Sequence, residues 1–97
     1  EGCEMTAVTP AKVLEKAACL VSDDRHKTHG DYSHTMRLVG RLWSGYLEVE
    51  ISGDDTCRMM ALLKIARAIH GEKILDHDMD GAAYLAMAAA LSSENHD

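Results

Sequence analysis

A chain of 97 residues is the usual size of one domain and buries only about 60% of the surface that its unfolded form exposes, so a second domain does not fit and the core is modest. A formal charge of -6 and a pI near 5.4 argue against duplex nucleic acid as a partner, because that affinity rests on clustered Lys and Arg neutralising phosphates. No apolar run approaches the roughly 18 residues of a membrane span, and no signal-peptide pattern is visible. The expectation is a soluble cytoplasmic protein without a membrane partner.

Apolar residues make up 46% of the chain, yet Phe is absent and there is one Trp. The core must therefore come from Ala, Leu, Ile, Val and Met, which suit helices better than sheets. The expected fold is all-α, about four helices forming a single domain over residues 1–97 with its core at about 9–91. Cys3, Cys19 and Cys57 form no CxxC pair and leave one cysteine unpaired in any disulfide scheme. They are read as structural or incidental thiols in a reducing compartment.

The first helix opens on Thr9 as cap and Pro10 at the first helical position, where a missing N–H is harmless. Val13, Leu14, Ala17, Ala18 and Val21 form its apolar stripe, and it ends near Ser22. Ser22 to Asp31 is a stretch of ten residues without a hydrophobic side chain. The second helix starts around Asp31 to Ser33 and buries Met36, Val39, Leu42, Trp43, Tyr46 and Leu47. Gly40 and Gly45 each weaken it by about 1 kcal/mol relative to alanine. The Leu47 to Ile51 alternation is read as helix end and loop.

Ser52 caps the third helix, about Gly53 to His70, with Asp54 and Asp55 at the positive end of its dipole. Gly71 stops it in the manner of a left-handed C′ glycine. After a hinge at Glu72 to Leu75, the fourth helix runs from the Asp76 to Asp80 segment to about Leu91, with Ser92 onward frayed. Its Gly81 to Leu91 stretch is small and apolar nearly all round, which a surface helix does not tolerate.

Chemistry is concentrated in the Asp23 to Asp31 loop and at the corner between the third and fourth helices. Lys64 and Arg67 stand at i and i+3 on one helix, so they share a face. Asp76 and Asp80 share a face if the fourth helix begins early enough. Carboxylates converging with Lys and Arg are what a Mg²⁺–phosphate site needs, and Lys64, Arg67 and Asp80 are expected in one cleft. The same residues also serve as ordinary helix caps and solvated cations.

Asp76, Asp78 and Asp80 superficially resemble a calcium loop, but the bidentate glutamate is not at the right offset. His26, His29 and His34 have the count for three zinc ligands, but they have no cysteine partner. Arg25, Lys27 and His29 alternate in a loop that either closes on an anionic ligand or simply neutralises itself in solvent. Nothing resembles a glycine-rich phosphate loop or a nucleophilic triad.

The order Asp24-Arg25, His29-Gly30-Asp31, Leu42-Trp43 with Tyr46, Met60-x-x-Leu63-Lys64-Ile65-Ala66-Arg67, and Asp80-x-x-x-Tyr84 resembles a family of small phage and prophage proteins known only as a domain of unknown function. The resemblance spans roughly Val13 to Leu91 and implies a phage setting without an activity. More distantly, the layout is similar to MazG-like all-α nucleoside triphosphate pyrophosphohydrolases, which hold Mg²⁺ between a Glu-x-x-Glu on one helix and a Glu-x-x-Asp on the next and form their sites in oligomers. The helices expected here carry no Glu-x-x-Glu, and Asp76 with Asp80 only partly replaces the second motif.

That resemblance implies a nucleotide-binding protein, with Asp76 and Asp80 on Mg²⁺ and with Arg25, Lys27, Lys64, Arg67 and Tyr84 on the substrate. It extends to a Mg-dependent pyrophosphohydrolase if metal-bound water is activated. The competing readings are a non-catalytic module that sequesters a nucleotide or a host protein, and a structural adaptor. A homo-oligomer, most simply a twofold dimer through the fourth helix, is expected because so short a chain has too few helices to cover Gly81, Ala82, Ala86, Ala89 and Ala90.

Overall fold

A computed structural model describes residues 7–22 and 31–95. They form four helices, with no strand among the described residues: α1 (Pro10–Leu20), α2 (Tyr32–Leu47), α3 (Gly53–His70) and α4 (Ile74–Asn95).

Each of the first three starts is set by a side-chain cap. Thr9 accepts from the Lys12 N–H at 3.2 Å, Asp31 from the Ser33 N–H at 3.0 Å, and Ser52 from the Asp55 N–H at 3.1 Å. Each satisfies one of the donors that a helix start leaves unpaired. In the first turn of α3, the Ser52 hydroxyl and then the Arg58 guanidinium hold Asp54 below the usual carboxylate range.

Two helix ends differ from the sequence reading. Gly71 closes α3 with its N–H donated to the Arg67 carbonyl at 2.8 Å, but its φ of -109° is not left-handed. Glycine is needed there for room, since a Cβ would stand 2.6 Å from the Arg67 carbonyl oxygen. The left-handed positions fall instead on Glu48, which ends α2, and on Lys73 in the turn before α4, both at φ 59°. The fourth helix also begins earlier and ends later than the composition suggested. Leu91 is buried and Glu94 meets Arg37 of α2 at 2.6 Å, so the last turn has partners and continues to Asn95.

The short turn after His70 folds α3 and α4 into an antiparallel αα-hairpin that pairs along its length. The core cluster is Cys57, Ala88 and Leu91, with Tyr32, Met36 and Met87 packed against it. Ala17, Ala61, Met79 and Ala83 extend the buried set, so α1 lies against α4 and α2 against α3. Burial pushes the Cys57 thiol up to about 11. Cys57 is a free thiol, whereas Cys19 is disulfide-bonded, which departs from the expectation of three thiols.

The α2–α3 junction is tight. Ser44 Oγ lies 2.7 Å from the Gly40 carbonyl oxygen and accepts the Ile51 N–H at 2.8 Å. Thr56 Oγ1 donates to the Ser52 carbonyl at 2.9 Å. Gly40 lets α2 and the Ile51–Thr56 segment approach this closely.

Candidate functional site at the α3–α4 corner

Three of the residues singled out from the sequence meet between the hairpin helices. Lys64 Nζ stands 3.1 Å from Asp80 Oδ2, and with Tyr84, Leu20, Ala83 and Met87 they line a small hollow of about 100 Å³. Antiparallel pairing puts the last third of α3 opposite the first third of α4, which brings these residues to one level. The cation and the carboxylate neutralise each other there.

Arg67 opens into a different space. Three residues on from Lys64, it is turned by about 60° around the helix axis. It lines a hollow of about 510 Å³ with Ala66, His70, Gly71 and His77. No acid is among those lining residues, and among the described residues no ion pair engages Arg67.

His77 Nδ1 is buried with no hydrogen-bond partner among the described residues. A Cβ on Gly71 would stand 3.9 Å from His77 Nε2, so the imidazole closes the hollow against the turn. On its other side, His77 borders a groove of about 210 Å³ lined by Ala61, Ile65, Asp78, Gly81, Ala82 and Leu85.

Asp76 is exposed in the first turn of α4, and the early start of that helix does put it one turn from Asp80. Magnesium asks for near-octahedral oxygen ligation. Here one of the two carboxylates is engaged by Lys64, and among the described residues no three candidate metal ligands converge. This set does not fit a Mg²⁺ ion. Arg25, Lys27, His26 and His29 lie outside the described residues, as does the one Glu-x-x-Glu spacing in the chain, Glu1 to Glu4. His34 is exposed at the start of α2.

Sequence reasoning passed over His70 and His77 as site residues. His70 had a signal, since it stands three residues after Arg67 and so neighbours it on α3. His77 had none, because its role depends on how the turn at Gly71 folds it back.

Over residues 12–92 the chain matches a family model described as "Domain of unknown function (DUF6378)". The chain belongs to this family. It is also similar to the Gene 55 protein of Mycobacterium phage D29, 42% identical over 55 residues, which are 57% of this chain and 36% of that protein. The match thus spans about a third of the length of this phage relative. No solved structure matches the chain. Family and relative together bear out the resemblance to a phage domain of unknown function.

Proposed function

We propose that this chain is a phage-type nucleotide-binding module that grips phosphate groups at the mouth formed by Arg67, His70 and His77. One observation carries the reading. In a chain with 16 acidic and 10 basic residues, this hollow is lined by an Arg and two His and by no acid. Arg presents a planar fork of donors that matches phosphate oxygens bidentately, and it is charged at every relevant pH. The resemblance to MazG-like proteins in helical layout points to the same ligand class. The proposal is one of binding and routes no step through a metal.

Thermal shift with ATP, a deoxynucleoside triphosphate and pyrophosphate, each with and without Mg²⁺, tests it. A ligand at 100 times its Kd stabilises the folded state by about 2.7 kcal/mol, a clear rise in Tm. Arg67→Ala should abolish that rise, and Lys64→Gln, in the neighbouring hollow, should retain it. No rise with any of these ligands, or an undiminished rise in Arg67→Ala, refutes the proposal. Release of pyrophosphate from the triphosphates in the same samples would favour the hydrolase reading.

A further inference from the structure

The basic hollow has a neighbour of different character. On the far side of His77, the groove between α3 and α4 has the small residues Ala61, Gly81 and Ala82 at its floor. Ile65, 51% exposed, and Leu85, 52% exposed, stand at its sides. Packing does not require glycine at position 81. A Cβ there would lie 3.8 Å from Lys64 Cβ and 3.9 Å from the Ala61 carbonyl oxygen, both ordinary contact distances. A glycine inside a helix weakens it relative to alanine, and what this one provides is width at the floor of the groove.

The charges of the two spaces are sorted. Arg67, His70 and His77 line the hollow without an acid, whereas the groove carries a carboxylate, Asp78, exposed at its edge. Asp78 also borders the apolar space beside Val8 and Leu14, and among the described residues its carboxylate has no ion pair or hydrogen bond. In the wall common to hollow and groove, His77 Nδ1 is the buried side-chain polar atom left without a partner among the described residues. A ligand that spans both spaces therefore needs three parts. One end is anionic, the middle carries a hydroxyl that can pair with an imidazole nitrogen in either tautomer, and the other end is flat, with N–H donors on its edge for a carboxylate.

We infer that the groove holds the base of the nucleotide whose phosphates sit in the hollow, and that this base is guanine; the inference rests on the phosphate reading above. Guanine presents its ring N1–H and its exocyclic amino group side by side, two donors for the two oxygens of a carboxylate that can only accept. Adenine and cytosine place a ring acceptor beside their amino group, and uracil and thymine have a single N–H between two carbonyls. The faces of the ring pack against Ile65 and Leu85 while its edge meets Asp78. The reversed orientation is excluded because it would set phosphate against Asp78.

Isothermal titration of the full chain with GTP, inosine triphosphate, ATP, pyrophosphate and guanosine tests the inference. Inosine triphosphate differs from GTP by the missing amino group alone, and guanosine carries no phosphate. GTP should bind at least about 10-fold tighter than inosine triphosphate or ATP, the value of one hydrogen bond to a charged group. Asp78→Ala should erase the gap between GTP and inosine triphosphate while pyrophosphate still binds. Ala82→Leu, which fills the groove, should reduce GTP to the affinity of pyrophosphate; if it does not fold, the exposed Asp78→Ala position carries the test. Equal affinities for the three triphosphates overturn the inference and leave the phosphate reading standing, as does a guanine preference that survives Asp78→Ala. Guanosine binding that Asp78→Ala abolishes, with no binding of pyrophosphate, supports the base site and refutes the phosphate reading. Binding of none of the five overturns both.

Discussion

Replacing Gly40 with alanine should destabilise the protein, whereas the same change at Gly45 in the same helix should stabilise it. On helix propensity alone, each substitution gains about 1 kcal/mol. A Cβ on Gly40 would meet the Ile51 carbonyl oxygen at 2.8 Å, Thr56 Oγ1 at 2.9 Å and the Ser52 carbonyl oxygen at 3.1 Å. None of these atoms is free to retreat. The Ile51 peptide is held by Ser44 Oγ, and Thr56 Oγ1 is bonded to the Ser52 carbonyl. Overpacking of this kind costs about 1–3 kcal/mol, and backbone obstacles place it at the upper end. The net loss for Gly40→Ala is therefore about 2 kcal/mol, a fall in Tm of roughly 8–16 °C for a domain this size. A Cβ on Gly45 would meet nothing within 4 Å, so the propensity gain of about 1 kcal/mol stands. Urea denaturation followed by far-UV CD measures both. A Gly40→Ala protein as stable as wild type, or no gap between the two variants, would refute this account of the junction.

Cys57 carries a pH prediction. Its folded thiol titrates at about 11 rather than 9.0 because it is buried, so above pH 9 the folded state holds a proton that the unfolded state has lost. Stability is unaffected by this group below about pH 9 and falls by roughly 2–3 kcal/mol as pH rises to about 11. Denaturation midpoints measured along that range should fall in wild type and stay flatter in Cys57→Ala, whatever the offset between the two. Ser52→Ala removes the acceptor for the Asp55 N–H and should lower stability by about 1 kcal/mol. An unchanged midpoint would mean that the α3 start is held by other contacts.

The helix starts were legible because they rest on local chemistry: Thr9 with Pro10, Asp31 and Ser52 each cap within three residues of themselves. Helix ends were less so. Nothing in Glu48 or Lys73 announces a left-handed backbone, and Gly71 imitates a left-handed stop while serving as a point of close approach. The extension of α4 to Asn95 rests on Arg37, 57 positions from its partner Glu94, a separation over which no local pattern reaches. The pairing of Lys64 with Asp80 could be anticipated from an antiparallel hairpin. The divergence of Arg67 into its own hollow came from helical rotation, and His77 depended on the turn. Composition alone also treated Gly40 and Gly45 alike, although one faces the segment leading into α3 and the other faces open space.

His77 forms part of both the basic hollow and the apolar groove, and this shared wall has a thermodynamic consequence. One imidazole cannot adjust to a phosphate ligand in the hollow without altering the boundary of the groove, so ligand binding as proposed above would reshape the groove. Linkage is reciprocal: by whatever factor an occupant of the groove would change phosphate affinity, phosphate would change the affinity for that occupant. A substitution at His77 should move that factor toward unity.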